Sequence, residues 1–456
     1  MRVRIILAIL ACKSMRIALR ILRRGGTALP GKVAMRLCPD LLRYLAKGVK
    51  CVAITGTNGK TTCSRMLEQV FIDSSAAYFS NKSGSNLMQG ITAEFALNAT
   101  ITGKPKRKYA IIECDEGASK KVFEYIDPAA VLVTNVFSDQ LDRFGNVGAT
   151  LEKIKSGVKN APNAVVCLNA DDSLVSSIAD GIPNKVIYFG VGVGVLEGHK
   201  GETSDAPSCI RCATPYEYDY ATYGHLGGFR CPNCGYARRH SDITVTGLIA
   251  RDADSQTVRI DAFGEITDVT INIPGDYNIY NAAGMIAAST AMGFSIDDAK
   301  GALLRFELGF GRMEKLVLNG RNVRMILVKN PVGCNQALNY LCGVPGDILL
   351  VVCLNDRIAD GTDVSWIHEA NFEMLIGIGE RLRGVFVCGT RSEDMAQRLR
   401  TAGIPEDIMR VFADERDVLE AALVQDSPVC ILPTYTAMLE LRGIMHRRYG
   451  IKEFWE

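Results

Sequence analysis

The segment Thr55-Gly56-Thr57-Asn58-Gly59-Lys60-Thr61-Thr62 holds the densest chemistry in this 456-residue chain. Its two glycines let the backbone turn so that successive N–H groups point at one spot. Lys60 adds a point charge there, and Thr61 or Thr62 offers a hydroxyl. The apolar run Cys51-Val52-Ala53-Ile54 before it reads as a buried strand, and Met66 to Phe71 after it has helical spacing. Strand, glycine loop and helix start together focus N–H groups on an anion, so the segment predicts a nucleotide phosphate site with a Thr hydroxyl on Mg²⁺. The general phosphate-loop pattern needs a further glycine at position 54, where this chain has Ile, so the loop is the shorter variant G-x-x-G-K-T-T.

A second constellation is sulfur. Cys209-x-x-Cys212 and Cys231-x-x-Cys234, eighteen residues apart, match the spacing of a structural zinc site. Four thiolates close a tetrahedral shell with no position for substrate, which predicts structural Zn²⁺ supporting a small insertion that lacks a core of its own. The tyrosines around it, Tyr216, Tyr218, Tyr220 and Tyr223, do not make a basic nucleic-acid surface.

Other groups stand singly. Glu113 ends a predicted strand and precedes Asp115 and Glu116. It fits a Mg²⁺ ligand beside the phosphates, with a solvated acidic turn as the alternative. Thr134-Asn135 and the cluster Asp139 to Gly145 follow the next strand. Asn278 and Asn281, three apart at a helix start, suit a purine edge, although helix capping explains Asn278 equally well. Arg312 lies at a domain junction, from which it can reach phosphate. Asp360-Gly361-Thr362-Asp363-Val364-Ser365-Trp366 suggests a site or an interface, or else a plain Asp-Gly turn.

The elements that must position these groups read as α/β. From residue 51 to about 190, apolar runs alternate with helical segments, the pattern of a mostly parallel doubly wound sheet. Residues 243–273 alternate as antiparallel strands do, and a helix follows from about 278 to 292. A fresh α/β series begins after Gly311. The expected domains are a basic helical segment at 1–48, an ATP-binding domain at 49–310 with a zinc-ribbon insertion at about 200–241, and a Rossmann-like C-terminal domain at 311–456. This length exceeds what one hydrophobic core usually supports.

Composition narrows the function. Net charge is +2, which argues against a general polyanion binder. Residues 1–50 carry twelve Lys or Arg against the single acid Asp40, so this front end of +11 leaves the rest at about −9. Arg2-Val3-Arg4 and the following apolar stretch resemble a signal peptide superficially, but the stretch is short and charge resumes at Lys13. An amphipathic helix fits better, with Lys13, Arg16, Arg20 and Arg23 or Arg24 on one face and Ile6, Leu10, Ile17 and Ile21 on another. That face suits anionic lipid, or the helix packs on its own domain with a solvated basic face. No segment is long and apolar enough to span a bilayer, so an integral membrane protein is not expected. Most of the fifteen cysteines are scattered singly in apolar runs, as in a reducing, cytoplasmic compartment.

Taken together, Gly56 to Thr62, Glu113, Thr134-Asn135 with Asp139 to Asp142, Asn169-Ala170-Asp171-Asp172, Asn278-x-x-Asn281 and Gly311-Arg312 resemble the Mur ligase superfamily, in order and spacing. The absent N-terminal UDP-sugar domain, the four-cysteine insertion, Lys329-Asn330-Pro331-x-Gly333-x-Asn335-Gln336 and the Asp360 to Trp366 segment resemble the MurT family within it. The resemblance implies ATP-dependent amidation, through an acyl phosphate, of the D-Glu α-carboxylate in the lipid II stem peptide, a step of peptidoglycan synthesis. It implies phosphate binding by Gly56, Thr57, Asn58, Gly59, Lys60, Thr61 and Thr62, and Mg²⁺ on Thr61 and Glu113. Adenine would lie by Asn278 and Asn281, and Arg312 would reach the phosphates. None of the cysteines sits in the G-x-C-x-G elbow of a triad glutaminase. The family draws ammonia from a GatD-like glutaminase subunit, whose His Asp363 would orient, with Asp356 as runner-up. Lipid II places the work at the inner face of the plasma membrane. Gln140 stands where many Mur ligases have His, and Lys153 and Lys155 are candidates for the family's modified lysine. A stand-alone amino-acid ligase of the folylpolyglutamate or cyanophycin type is the alternative; a zinc-ribbon NTPase on nucleic acid is disfavoured by the acidic balance beyond residue 50.

Overall fold

The computed structural model describes residues 2–21, 28–81, 85–137, 147–196, 205–252, 254–307 and 312–451, the side chains of Arg20, Ile21 and Arg312 apart. Contacts divide these residues into two compact units between Phe306 and Glu307.

In the first unit the buried runs become strands β1 (Lys50–Thr55), β2 (Tyr78–Ser80), β3 (Tyr109–Glu113), β4 (Ala130–Val133), β5 (Val165–Asn169) and β6 (Val186–Val191). A hairpin of β7 (Glu217–Ala221) and β8 (Gly227–Arg230) stands apart, and β9 (Ile243–Arg251), β10 (Gln256–Ala262) and β11 (Glu265–Ile271) follow. Nine of them form one sheet in the order β11-β10-β9-β6-β5-β4-β1-β3-β2. Pairing is parallel from β2 to β9 and antiparallel among β9, β10 and β11. β1 is buried from Cys51 to Thr55 and β4 along its whole length, so neither alternates. β10 does alternate, burying Gln256, Val258, Ile260 and Ala262.

β1 pairs with β3 (Ile54 beside Glu113) and with β4 (Thr55 beside Val133), and β4 with β5 (Val133 beside Leu168). The carboxyl ends of these four parallel strands therefore lie side by side, where ligands bind in open α/β sheets. Helix Lys60–Asp73 starts directly after the glycine loop, and helix Asp276–Met292 runs from Gly275 to a left-handed Gly293 cap. The helix Arg2–Ile21 packs on helices Ala28–Leu37 and Met88–Leu97.

The second unit is a six-stranded sheet of β12 (Arg312–Leu318), β13 (Arg321–Ile326), β14 (Ile348–Cys353), β15 (Leu382–Cys388), β16 (Met409–Val411) and β17 (Val429–Pro433), ordered β12-β13-β17-β14-β15-β16. Only the β12–β13 pair is antiparallel. Asn330 caps helix Pro331–Gly343 by accepting from Gly333 N at 2.8 Å, and Pro331 opens that helix, so the Asn330-Pro331 dipeptide is a helix start. Among the described residues no helix is long and apolar enough to cross a membrane.

Candidate active site

The glycine loop is held by the neighbouring strand end. Gly56 (φ +117°) and Gly59 (φ +86°) adopt backbone that side chains disfavour. A Cβ on Gly56 would stand 2.4 Å from Thr134 Oγ1, and one on Gly59 2.1 Å from Asn281 Oδ1. Thr57 N donates to Asn135 O (2.9 Å), and Asn58 N to Asn135 Oδ1 (2.8 Å). Asn58 O accepts from Thr134 Oγ1 (2.7 Å) and Asn135 Nδ2 (3.1 Å). Thr57 Oγ1 accepts from Phe137 N (3.0 Å) and lies 3.1 Å from Phe137 O. Thr134-Asn135 thus fix the loop's conformation, and Thr62 is buried behind it.

Lys60, at the first turn of its helix, places its ammonium on Gly56 O, on Thr57 O (3.2 Å) and on Glu116 Oε1 (2.6 Å). The Lys60 and Glu116 side chains are 11% and 7% exposed, so this ion pair sits in a largely dry place. Thr61 Oγ1 donates to Glu113 Oε2 at 2.7 Å. The Glu113 backbone is clamped by Asn81, whose Oδ1 accepts from Glu113 N (2.8 Å) and whose Nδ2 donates to Glu113 O (2.7 Å). A carboxylate and a hydroxyl oxygen at hydrogen-bond distance are the hard donors Mg²⁺ takes beside phosphate oxygens and water, so these residues fit that ion. Burial and the neighbouring Glu116 raise the Asp115 carboxyl above its ordinary range.

Asn281 Oδ1 and the backbone carbonyl of Asn281 face Cys63 Sγ (3.6 and 3.5 Å), next to the loop. Asn278 is fully buried, donates to Pro274 O (2.6 Å) and accepts from Asn281 Nδ2 (3.0 Å). Both amides are thus buried and engaged with each other, Asn278 at the helix start and Asn281 beside the glycine loop. Lys153 and Lys155 share helix Val147–Lys159, both half-buried. Asp139, Gln140 and Asp142 lie outside the described residues, as does the side chain of Arg312.

The four cysteine sulfurs lie within 4.8 Å of one another, with 3.5 Å between Cys209 and Cys234 and 3.4 Å between Cys212 and Cys231. Tetrahedral thiolates around zinc stand roughly 3.8 Å apart, so the quartet fits such an ion. The ribbon's small core is Phe229 and Tyr236 between Cys209 and Cys231. It is bolted to the end of β5. Arg238 Nε donates to Asp171 Oδ1 (2.6 Å), Gly227 N to Asp171 O (3.0 Å), and Tyr236 Oη to Ser173 O (2.6 Å). Tyr280 Oη donates to Asp171 Oδ2 at 2.6 Å. Desolvation raises the Asp171 carboxyl despite Arg238 and Tyr280. His225 Nε2 lies 3.1 Å from Asp172 Oδ1, both fully buried, and Asp172 Oδ2 accepts from Val136 N (2.9 Å). The Tyr223 ring stacks on Phe137 at 5.9 Å, so the hairpin tip rests on the residue that bonds Thr57. The role of Glu116 as partner of Lys60, the Asn81 clamp and the His225–Asp172 pair have no sequence pattern; adjacency to Glu113 was the one available hint, for Glu116.

In the second unit Asp363 is exposed and accepts from Ser365 N (2.8 Å), which holds its carboxyl below the usual range. Asp356 bonds Thr390 Oγ1 (2.9 Å) and pairs with Arg391 (3.3 Å). Asp360 is buried and accepts from Thr436 N (2.7 Å) and Thr436 Oγ1 (2.5 Å), fastening the segment to helix Tyr435–Tyr449.

The Mur ligase middle domain family matches residues 54–210, and the MurT ligase C-terminal family matches residues 327–438. The MurT subunit of lipid II isoglutaminyl synthase (glutamine-hydrolyzing) from Streptococcus pneumoniae is 32% identical over 99% of both chains, and that of Staphylococcus aureus strain COL 30% identical over 97% of this chain and 98% of its own. The chain belongs to the MurT family of Mur ligases. Its fold is that of the superfamily: a pseudomurein peptide ligase type C from Methanothermus fervidus superposes with a TM-score of 0.68 at 20% identity, covering 90% of this chain and 80% of that one. The MurF ligase from Thermotoga maritima in complex with ADP gives 0.61 at 14% identity, covering 91% and 84%. As a MurT family member the chain is an ATP-dependent ligase, and its fold implies ATP and Mg²⁺.

Proposed function

We propose that this protein is the synthetase subunit that amidates the α-carboxylate of D-Glu in the lipid II stem peptide, giving D-isoglutamine. The observation that carries the reading is the whole-length likeness to two MurT subunits of lipid II isoglutaminyl synthase. A carboxylate is a poor electrophile. Its oxygen attacks the γ-phosphorus of ATP, ADP leaves, and the acyl phosphate then takes ammonia at carbon and expels phosphate. Loop N–H groups and Lys60 bind the phosphates and offset the charge that grows on the transferring group. Glu113 and Thr61 would hold Mg²⁺, which supplies positive charge to the phosphate oxygens when bound. Glu116 docks the Lys60 ammonium beside the loop. Asn278 and Asn281 serve the adenine side and Arg312 the phosphates. The cysteine quartet holds one structural Zn²⁺.

Ammonia comes from a GatD-like glutaminase subunit. Asp363, exposed and ionised, is the residue assigned to orient that subunit's His; Asp356, already engaged by Arg391, is less available. The protein works in the cytoplasm at the inner face of the plasma membrane, where lipid II resides. The test is amidation of lipid II by the purified chain with ATP and Mg²⁺, supplied with NH₄⁺ or with glutamine and the glutaminase. Product from both sources is expected. ATP-dependent addition of an amino acid in place of ammonia would overturn the reading.

A further inference from the structure

The helix Arg2–Ile21 has two apolar faces. Ala8, Ile9, Cys12 and Leu19 are buried against the domain. On the other side Val3, Leu7, Leu10 and Ile17 stand 68%, 52%, 39% and 59% exposed. Their spacing puts them on one stripe, with Ser14 exposed within it, about 21 Å long at the helical rise. A surface helix ordinarily buries its apolar stripe and shows water a polar face. This one buries such a stripe, Ile9 and Leu19 beside Ala8 and Cys12, and yet carries a second row of large aliphatic side chains on its outer side. Its charges have one sign: the helix contains no Asp or Glu, and Arg2 and Arg4 are exposed at its start. Lys13 instead donates to Ala99 O (2.5 Å) and pins the helix to the domain.

We propose that this helix lies in the interface of an anionic phospholipid bilayer, with Val3, Leu7, Leu10 and Ile17 at the headgroup–acyl boundary and the arginines among the phosphates. Charge selects this occupant. A second copy would set the same cations against each other, whereas a layer of lipid phosphates complements them and accepts the aliphatic stripe. The proposal rests on the reading above in one respect: a lipid-borne substrate gives the contact its use.

The test is flotation of the full chain with vesicles of phosphatidylcholine alone or mixed with phosphatidylglycerol, both free of lipid II. Flotation with the mixed vesicles, weakened by salt, is expected, with little on phosphatidylcholine alone. L7E/L10E should float about tenfold less or worse, as should R2E/R4E, which leaves the stripe intact. Circular dichroism melts check that both remain folded. L7E/L10E should amidate a water-soluble stem-peptide substrate at the parent rate. Equal flotation of parent and L7E/L10E, no flotation of the parent, or a parent dimer that L7E/L10E converts to monomer would overturn the proposal. Because these vesicles hold no substrate, failure of amidation with flotation intact would count against the functional reading and not against this surface.

Discussion

At the residue scale, the site joins a docked cation to a hydrogen-bonded glycine loop. Lys60→Ala should lower ammonia-driven amidation by roughly 10²–10³ in kcat, the size seen when one donor to a developing charge is removed. Undiminished turnover at saturating ATP would reject the assignment. Gly59→Ala meets two obstacles at once, a positive φ and a Cβ 2.1 Å from Asn281 Oδ1. It should destabilise the loop by about 1 kcal/mol or more and raise KM for ATP, which ATP titration of the folded variant measures. A variant with parent affinity would mean that the loop can relax away from Asn281.

At the scale of elements, the ribbon reaches beyond its own metal site. Its tip stacks Tyr223 on Phe137, and Phe137 N donates to Thr57 Oγ1 in the glycine loop. Tyr223→Ala should therefore raise KM for ATP about threefold to tenfold, the equivalent of one aromatic pair, with zinc content retained. An unchanged KM would make the stacking purely structural. Cys231→Ser should lose the metal, expected at one zinc per chain, and lower the melting temperature, as read by metal analysis and calorimetry. A parent protein free of zinc with four titratable thiols would contradict the metal assignment.

At the scale of the whole molecule, the glycine loop is in one unit and Asp363 in the other. If Asp363 orients the partner's His, Asp363→Asn should depress glutamine hydrolysis by the complex by up to about 10⁴, as in a serine-protease triad with the same change. Amidation from external NH₄⁺ should persist. Loss of ammonia-driven amidation with hydrolysis intact would move Asp363 to the ligase chemistry.

The sequence by itself determined what depends on a few neighbouring residues or on regular spacing. The strand, loop and helix around Gly56 to Thr62 were legible because glycine freedom, apolar runs and helical period are local properties. So were the cysteine pairs, whose knuckles need only short turns, and the alternation of β10 against the burial of β1 from Cys51 on and of β4 throughout. Tertiary structure alone decided the partners. Lys60 meets Glu116, Glu113 is clamped by Asn81, and Asp172 meets His225, because parallel strands distant in sequence end side by side and bring their loops together. It also buried Asn278 and Asn281 together and set Asn281 beside Gly59. The same packing chose which apolar face of the first helix is buried: both faces had the hydrophobicity, and contact with helices Ala28–Leu37 and Met88–Leu97 covers the one with Ala8, Ile9, Cys12 and Leu19 and leaves Val3, Leu7, Leu10 and Ile17 outside.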